Sequence, residues 1–322
     1  MIELDLSPAD LSRIRFAFSP VWETVTSLRT LAGSAANGLH GPWLRDVRPR
    51  LAALDLEVLS ALVPATGYIP DFLTPAPTRR SSSFEAGLRD LSATPLKHVA
   101  TDLEMLSVSQ PSPVLDRLIA SPASALRTIA AELSRYWAVA VEPYWSRVRA
   151  LLQADLAYRM EELASGGVDQ LFRTLHPLVG LRHDTLLVTK AYCGQTELGG
   201  RGLLLVPCVF AWPDVLVLTA LPHQPTVTYS PRGIGRLWET TPATSDSPLA
   251  DLLGRSRAAI VAQLDLPMST TQLACQLNLT APTLSVHLKT LHAAGVVSSR
   301  RDGRTVLYRR TDLGDSLLAG RT

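Results

Sequence analysis

Cysteine is scarce in this 322-residue chain, which contains three. They are Cys193, Cys208 and Cys275, far apart in the sequence and odd in number. A disulfide framework is therefore not expected, and the count is typical of a reducing compartment. A redox pair between Cys193 and Cys208 stays open as an alternative to two packing residues.

Long uninterrupted hydrophobic runs are also missing. The most apolar stretch, residues 203–221, is interrupted by Pro207 and Pro213. It predicts two buried strands and not a membrane span. Glu3 and Asp5 introduce charge too early for a secretory signal. We therefore expect a cytoplasmic protein that makes no membrane contact.

Motifs of catalysis are absent as well. The glycine-rich run over residues 199–202 lies between predicted strands and is not followed by a helix, so it does not predict a phosphate-binding loop. The sequence shows no nucleophile elbow and no paired carboxylates at a catalytic spacing. We expect no catalytic residues, no cofactor, no metal and no enzymatic activity.

A helix-turn-helix pattern occupies residues 269–295. Ser269 and Gln272 have the spacing of a capping box, in which each side chain accepts from the other residue's backbone N–H. Thr280 then predicts the N-cap of a second helix, with Pro282 in its first turn. The pattern predicts two short helices joined by a tight turn.

The second helix and the segment after it complete a winged helix. Apolar side chains recur at helical spacing and predict a buried face, formed by Leu284, Leu288 and Leu291. Gly295 predicts the end of the helix. Two strands around a two-residue turn at Asp302-Gly303 then predict a hairpin with arginines at its tip.

Positive charge is concentrated in the same region. Residues 248–322 contain nine Lys and Arg against five Asp and Glu, a surplus of four, whereas the whole chain has a net charge of only +2. A basic module attached to a nearly neutral protein is typical of DNA binding.

Residues 250–320 resemble the ArsR/SmtB-type winged-helix repressors of bacteria. The segment Thr280 to Gly295 is similar to the recognition helix of that family, and Arg300 to Tyr308 is similar to its wing. The resemblance implies a DNA-binding regulator that binds a double-stranded operator as a homodimer. The alternative is a winged helix that contacts only proteins.

The side of the second helix opposite the leucines is expected to enter the major groove. Thymine methyl contacts would come from the apolar side chains and base hydrogen bonds from Thr283 and Ser285, while Thr280, Lys289 and the wing arginines would contact phosphate. The predicted DNA-binding residues are Thr280, Ala281, Pro282, Thr283, Ser285, Val286, Lys289, Arg300, Arg301 and Arg304.

The metal sites of the resembled family are not expected here. Its cysteine positions correspond to Ser269 and Thr271, which are not thiolate ligands. Its second site uses Asp and His on the last helix, where this chain has Asp312 and Asp315 but no histidine. A regulator that does not sense soft metals is therefore expected.

The remainder predicts an α+β fold with three parts. Residues 1–175 are predicted to be helical, including a helix from Pro20, an amphipathic run over residues 51–62 and a long block that Pro143 divides. Residues 176–240 are predicted to be rich in strands. A polar linker over residues 241–248 would separate this N-terminal domain, residues 1–240, from the winged helix, residues 249–322.

The N-terminal part resembles a domain of unknown function that is found fused to ArsR-type winged helices in bacteria with GC-rich genomes. The resemblance is carried by residues 15–29, 40–45 and 199–212. It implies a regulator but no ligand.

The size of this domain and its tryptophans lead us to expect a sensor of a small organic effector. The candidate ligand-binding residues are Trp22, Trp137 and Trp145. The alternative is that these rings only fill a core.

Overall fold

The computed structural model describes residues 1–33, 38–221, 223–238, 248–264, 267–277, 279–302 and 305–319. The fold is α+β, as predicted. The α-helices are α1 Pro8–Leu11, α2 Pro20–Ala32, α3 Gly41–Leu51, α4 Glu57–Leu62, α5 Phe84–Ser92, α6 Leu96–Ser109, α7 Pro113–Ala120, α8 Pro122–Ala140, α9 Trp145–Leu175, α10 Pro248–Leu253, α11 Arg255–Gln263, α12 Thr270–Leu277, α13 Ala281–Ala293 and α14 Asp312–Ala319. The strands are β1 Ile2–Asp5, β2 Arg15–Phe16, β3 Val179–Arg182, β4 Thr185–Val188, β5 Gly194–Glu197, β6 Leu204–Pro207, β7 Leu216–Leu218, β8 Thr226–Tyr229, β9 Met268–Ser269, β10 Val297–Asp302 and β11 Thr305–Arg310.

Proline marks two of the helix boundaries that the sequence predicts. Helix α2 begins at Pro20, where a missing N–H costs little. The long helical block is divided near Pro143, because α8 ends at Ala140 and α9 begins after a 3₁₀ turn at Trp145. Helix α9 itself contains a kink at Gly167, whose φ of 65° is accessible mainly to glycine.

The prediction of one helical run over residues 51–62 is wrong. Helix α3 ends at Leu51 and α4 begins only at Glu57. Between them, Asp55 accepts a hydrogen bond from the backbone N–H of Glu57 at 3.1 Å. A carboxylate that binds a nearby backbone N–H competes with helix continuation, which explains the break.

Residues 1–175 are mainly but not entirely helical, because β1 and β2 lie near the N-terminus. Strand β1 pairs in parallel with β5 and antiparallel with β4, and β3 extends this sheet on the other side of β4. Its partners lie more than a hundred residues away in the sequence, so no local pattern identifies the pairing.

A second sheet has the order β2-β6-β8-β7, with β7 antiparallel to the other three strands. Every residue of β6 is buried, whereas Leu216 and Val217 of β7 are only half-buried, so the expectation of two fully buried strands in residues 203–221 is confirmed for the first strand only. Leu171, Phe172 and Leu175 of α9 pack in one hydrophobic core with residues of both sheets. Covered faces of this kind explain why β6 is apolar throughout.

The chain divides into two compact units. The first comprises Met1–Trp145 and Glu162–Ile234, and the second comprises Ser146–Glu161 and Gly235–Thr322. Part of α9 thus belongs to the unit that contains the helix-turn-helix. Residues 241–247 of the expected linker lie outside the described residues, and Pro248 already begins α10. None of the described helices is long and apolar enough to cross a membrane.

Candidate nucleic-acid interface

The helix-turn-helix is formed by α12 and α13. Thr280 caps α13, accepting a hydrogen bond from the backbone N–H of Thr283 at 3.4 Å, and Pro282 lies in the first turn. Gly295 follows the helix with a φ of 70°, as expected for a C-terminal glycine. The expected capping box at Ser269 depends on the side chain of Gln272, which lies outside the described residues.

One face of α13 anchors the helix in the second unit. Leu284, Leu288 and Leu291 are almost completely buried, and they share a core with Leu273 of α12 and Ile260 of α11. These contacts confirm the buried face that the leucine spacing predicts. They fix which side of α13 is turned to solvent.

The opposite face of α13 is exposed. It carries Ala281, Pro282, Thr283, Val286, Lys289 and Thr290, with Ser285 half-buried at its border. Val286 is 63 % exposed, a large fraction for a branched apolar side chain. The structure therefore brings the predicted helix residues to one surface, and their contact with DNA stays a prediction.

Hydroxyl groups on this surface are already engaged as donors. Ser285 donates to the carbonyl of Ala281 at 2.9 Å, and Thr290 donates to that of Val286 at 3.1 Å. The hydroxyls of Thr280 and Thr283 lie 2.8 Å apart, and one of them donates to the other. Because a hydroxyl keeps acceptor lone pairs after donating, Ser285 is suited to accept from a base amino group.

The wing is the hairpin of β10 and β11, and β9 pairs with β11 to complete a three-stranded sheet. Asp302 is predicted to begin the hairpin turn, but it lies in β10 and pairs with Thr305. Residues 303 and 304, which include the predicted DNA contact Arg304, lie outside the described residues.

Two of the three wing arginines predicted to contact DNA are described, Arg300 and Arg301, and both are exposed. Arg300 and Arg301 are neighbours on β10, so their side chains point to opposite faces of the hairpin. Arg300 forms an ion pair with Glu161 of α9 at 3.0 Å, within the second unit. The sequence offers no signal for this contact, because Glu161 lies in another element.

The positions that correspond to the metal ligands of the resembled family lie on β9, α12 and α14. Ser269 is buried in β9, and the side chain of Thr271 lies outside the described residues. On α14, Asp315 forms an ion pair with Arg310 at 2.7 Å, and Arg310 also donates to the carbonyls of α11. That carboxylate has a structural role between β11 and α14.

The three tryptophans predicted to bind a ligand differ in their surroundings. Trp22 is buried, and its indole N–H donates to the carbonyl of Pro75 at 2.9 Å. Trp137 stacks on Phe84 with ring centroids 4.5 Å apart and meets Trp145 edge to face at 5.5 Å. Trp137 and Phe84 also line an open groove of about 470 Å³ in the first unit.

Two polar clusters of the first unit were not predicted from the sequence. Glu23 is buried and accepts hydrogen bonds from the backbone N–H groups of Val209 and Phe210. Burial raises the pKa of its carboxyl to about 7 although these donors lower it. The second cluster joins Asp71, Asp102 and His223, whose separation along the chain leaves no motif to recognise.

Comparison with known families agrees with both resemblances. Residues 249–299 match the model of the bacterial regulatory protein, arsR family, and residues 107–233 match the family of unknown function DUF5937. No curated protein and no solved structure matches the chain. The arsR-family domain supports a DNA-binding transcription regulator and suggests a non-enzymatic one. The chain thus carries a helix-turn-helix domain of the arsR family, preceded by a domain of the family DUF5937.

Proposed function

We propose that this protein is a one-component transcriptional repressor that binds a pseudo-palindromic operator as a cytoplasmic homodimer. The observation that carries the proposal is the exposed face of α13 in an arsR-family domain. The leucines of α13 are buried and hold the helix in the core, while the side chains on its opposite face are available to a major groove.

The composition of that face predicts how DNA would be read. Val286 and Ala281 suit thymine methyl groups, and Ser285 offers an acceptor for a base amino group. Lys289 and the wing arginines would contact phosphates and position the domain. With so few polar readers, specificity would depend on two copies that read two half-sites.

The effector of this repressor would be a small organic molecule bound by the first unit. The groove beside Trp137 supports this proposal, because it combines aromatic rings with the charged side chains of Glu85 and Arg89. Trp145 would contribute an edge of the aromatic cluster, whereas the buried Trp22 would act through packing. Soft metals would not act at the winged helix, which lacks the thiolates of the family's metal sensors.

The same surface also supports a second candidate, a winged helix that binds a protein. The observation that favours it is the apolar character of Ala281, Pro282 and Val286 on the exposed face of α13. Exposed apolar clusters are typical of protein interfaces. DNA binding at physiological salt distinguishes the two functions, because a winged helix that contacts only proteins is not expected to bind DNA.

A charge placed on the exposed face of α13 tests the proposal. The Val286→Asp variant should bind DNA from upstream of its own coding region at least about tenfold more weakly, since an aspartate repels phosphates and loses the apolar contact. Val108→Asp is the matched control, because Val108 is 86 % exposed on α6 of the first unit. Mobility shifts at physiological salt measure both, and equal affinities of the two variants would contradict the proposed interface.

A further inference from the structure

Three separate segments of the first unit bring potential metal ligands together. Asp71 begins a 3₁₀ turn, Asp102 lies on α6, and His223 lies between β7 and β8. One ligand atom from each residue lies within 4.8 Å of the other two. Asp102 is buried, and the other two are half-buried.

Hydrogen bonds hold the carboxylate of Asp102 and the backbone of Asp71 in place. The backbone N–H of Phe72 donates to Oδ2 of Asp102 at 2.9 Å. The backbone N–H of Asp71 donates to the hydroxyl of Tyr68 at 3.2 Å, next to the same cluster. The first bond fixes the carboxylate of Asp102 and still leaves it lone pairs for a metal, because an ionised carboxylate has about four acceptor positions.

The cluster combines two carboxyl groups with one imidazole. A neutral imidazole offers a nitrogen lone pair, and each carboxylate offers oxygen ligands. Nitrogen and oxygen ligands of this kind suit a divalent transition-metal ion, whose binding displaces protons from its ligands.

We propose that Asp71, Asp102 and His223 bind one divalent transition-metal ion with nitrogen and oxygen ligands, of the Zn²⁺ or Mn²⁺ class. An imidazole disfavours Mg²⁺ and Ca²⁺, which take oxygen ligands, and the lack of a thiolate disfavours soft ions. This site uses different residues and different chemistry from the metal positions of the winged helix. It goes beyond the proposed repressor function, which does not depend on it.

The observed spacing fits such an ion after a small closure. Three ligand atoms that lie about 2.1 Å from one metal and are equally spaced around it are at most about 3.6 Å apart, so atoms at the observed limit of 4.8 Å would each move by about 0.7 Å. Three protein ligands leave at least one coordination position open to water or to a small anionic molecule. Because the ligands come from three segments, the bound ion would hold them together and stabilise the first unit.

Titration of the full-length protein tests the site. The protein is treated with EDTA, dialysed and titrated with ZnCl₂ or MnCl₂ at about pH 7.5 by calorimetry. We expect one ion to bind per chain with at least one of these metals, and the melting temperature to rise with it. No saturable binding of either metal below about 1 mM would overturn the proposal without any variant.

Variants then assign the ligands. His223→Gln should weaken binding by about 100-fold or more, since loss of a ligand costs at least as much as loss of its outer-shell partner. His98→Gln is the matched control, because its ring lies 6.4 Å from that of His223 but outside the ligand set. Unchanged binding in His223→Gln, or equal losses in both variants, would refute the assignment, and circular dichroism checks that both variants are folded.

Discussion

Arg300 is a proposed phosphate contact, yet its guanidinium already contacts a carboxylate. Glu161 lies 3.0 Å away, and the two side chains are 59 % and 75 % exposed for the glutamate and the arginine. An exposed pair of this kind contributes about 0–1 kcal/mol. A DNA phosphate can therefore replace Glu161 at little cost.

Removal of the competing carboxylate should strengthen DNA binding. We expect Glu161→Gln to raise the affinity by up to about fivefold, the equivalent of the exposed pair's free energy. The matched control is Glu57→Gln, which removes the exposed partner of Arg117 in the first unit. Fluorescence anisotropy with labelled DNA measures both variants. Equal gains in affinity would attribute the effect to net charge and not to Arg300.

Glu23 links stability to pH. Because burial raises the pKa of its carboxyl from 4.5 to about 7, the protonated form is favoured in the folded protein. The protonated carboxyl of Glu23 therefore stabilises the folded protein. This contribution is fully present below the pKa that Glu23 has in the unfolded chain, and it is lost as the pH rises through its pKa in the folded protein. This pKa shift corresponds to a contribution of about 3 kcal/mol to the free energy of unfolding.

The Glu23→Gln variant should remove this dependence. Between about pH 4.5 and 7.5, the unfolding free energy of the wild type should fall by about 3 kcal/mol relative to that of the variant. Urea denaturation followed by tryptophan fluorescence at several pH values provides the comparison. Parallel pH profiles of the two proteins would mean that Glu23 titrates at its ordinary pKa.

At the scale of elements, the wing should bind DNA without reading its sequence. Arg301 lies on a hairpin and not on α13, so it is placed for phosphates or the minor groove. Arg301→Ala should weaken binding to all sequences and reduce the salt slope by about one unit. Affinity measured at several salt concentrations, with exposed Arg79→Ala of the first unit as control, gives the slopes. A slope unchanged from the wild type would exclude Arg301 from the phosphate contacts.

Local patterns predicted the elements whose causes are local. The cap at Thr280, the leucine face of α13 and the division near Pro143 depend on residues a few positions apart, and the sequence shows them. The break between α3 and α4 depends on one hydrogen bond of Asp55. The helical spacing of the leucines on either side predicted a continuous helix instead.

Contacts between distant segments could not be predicted in this way. Strand β1 has alternating apolar residues, but its partners are β4 and β5. The pair of Glu161 with Arg300 and the cluster around Asp102 likewise join segments whose meeting depends on the fold. By contrast, the spacing of the leucines in α13 predicts which side of that helix is exposed. For this reason the DNA-binding residues on α13 could be proposed from the sequence.

At the scale of the whole molecule, we expect the two units to divide the proposed functions. Residues 248–322, all within the second unit, contain a surplus of four positive charges, which favours DNA binding by that unit. A surplus of this size in one copy gives weak binding, because affinity rises with the number of phosphates neutralised. Two copies on one operator would double those contacts.

The central claim is that residues 248–322 carry DNA binding, and one comparison tests it most directly. Anisotropy titrations of labelled DNA from upstream of the coding region should be performed with the full chain and with a chain ending at residue 238. We expect the full chain to bind at physiological salt and more tightly as salt falls, and the shortened chain, checked for folding by circular dichroism, to show no binding. Equal binding by the shortened chain, or no binding by the full chain even at low salt, would contradict the account.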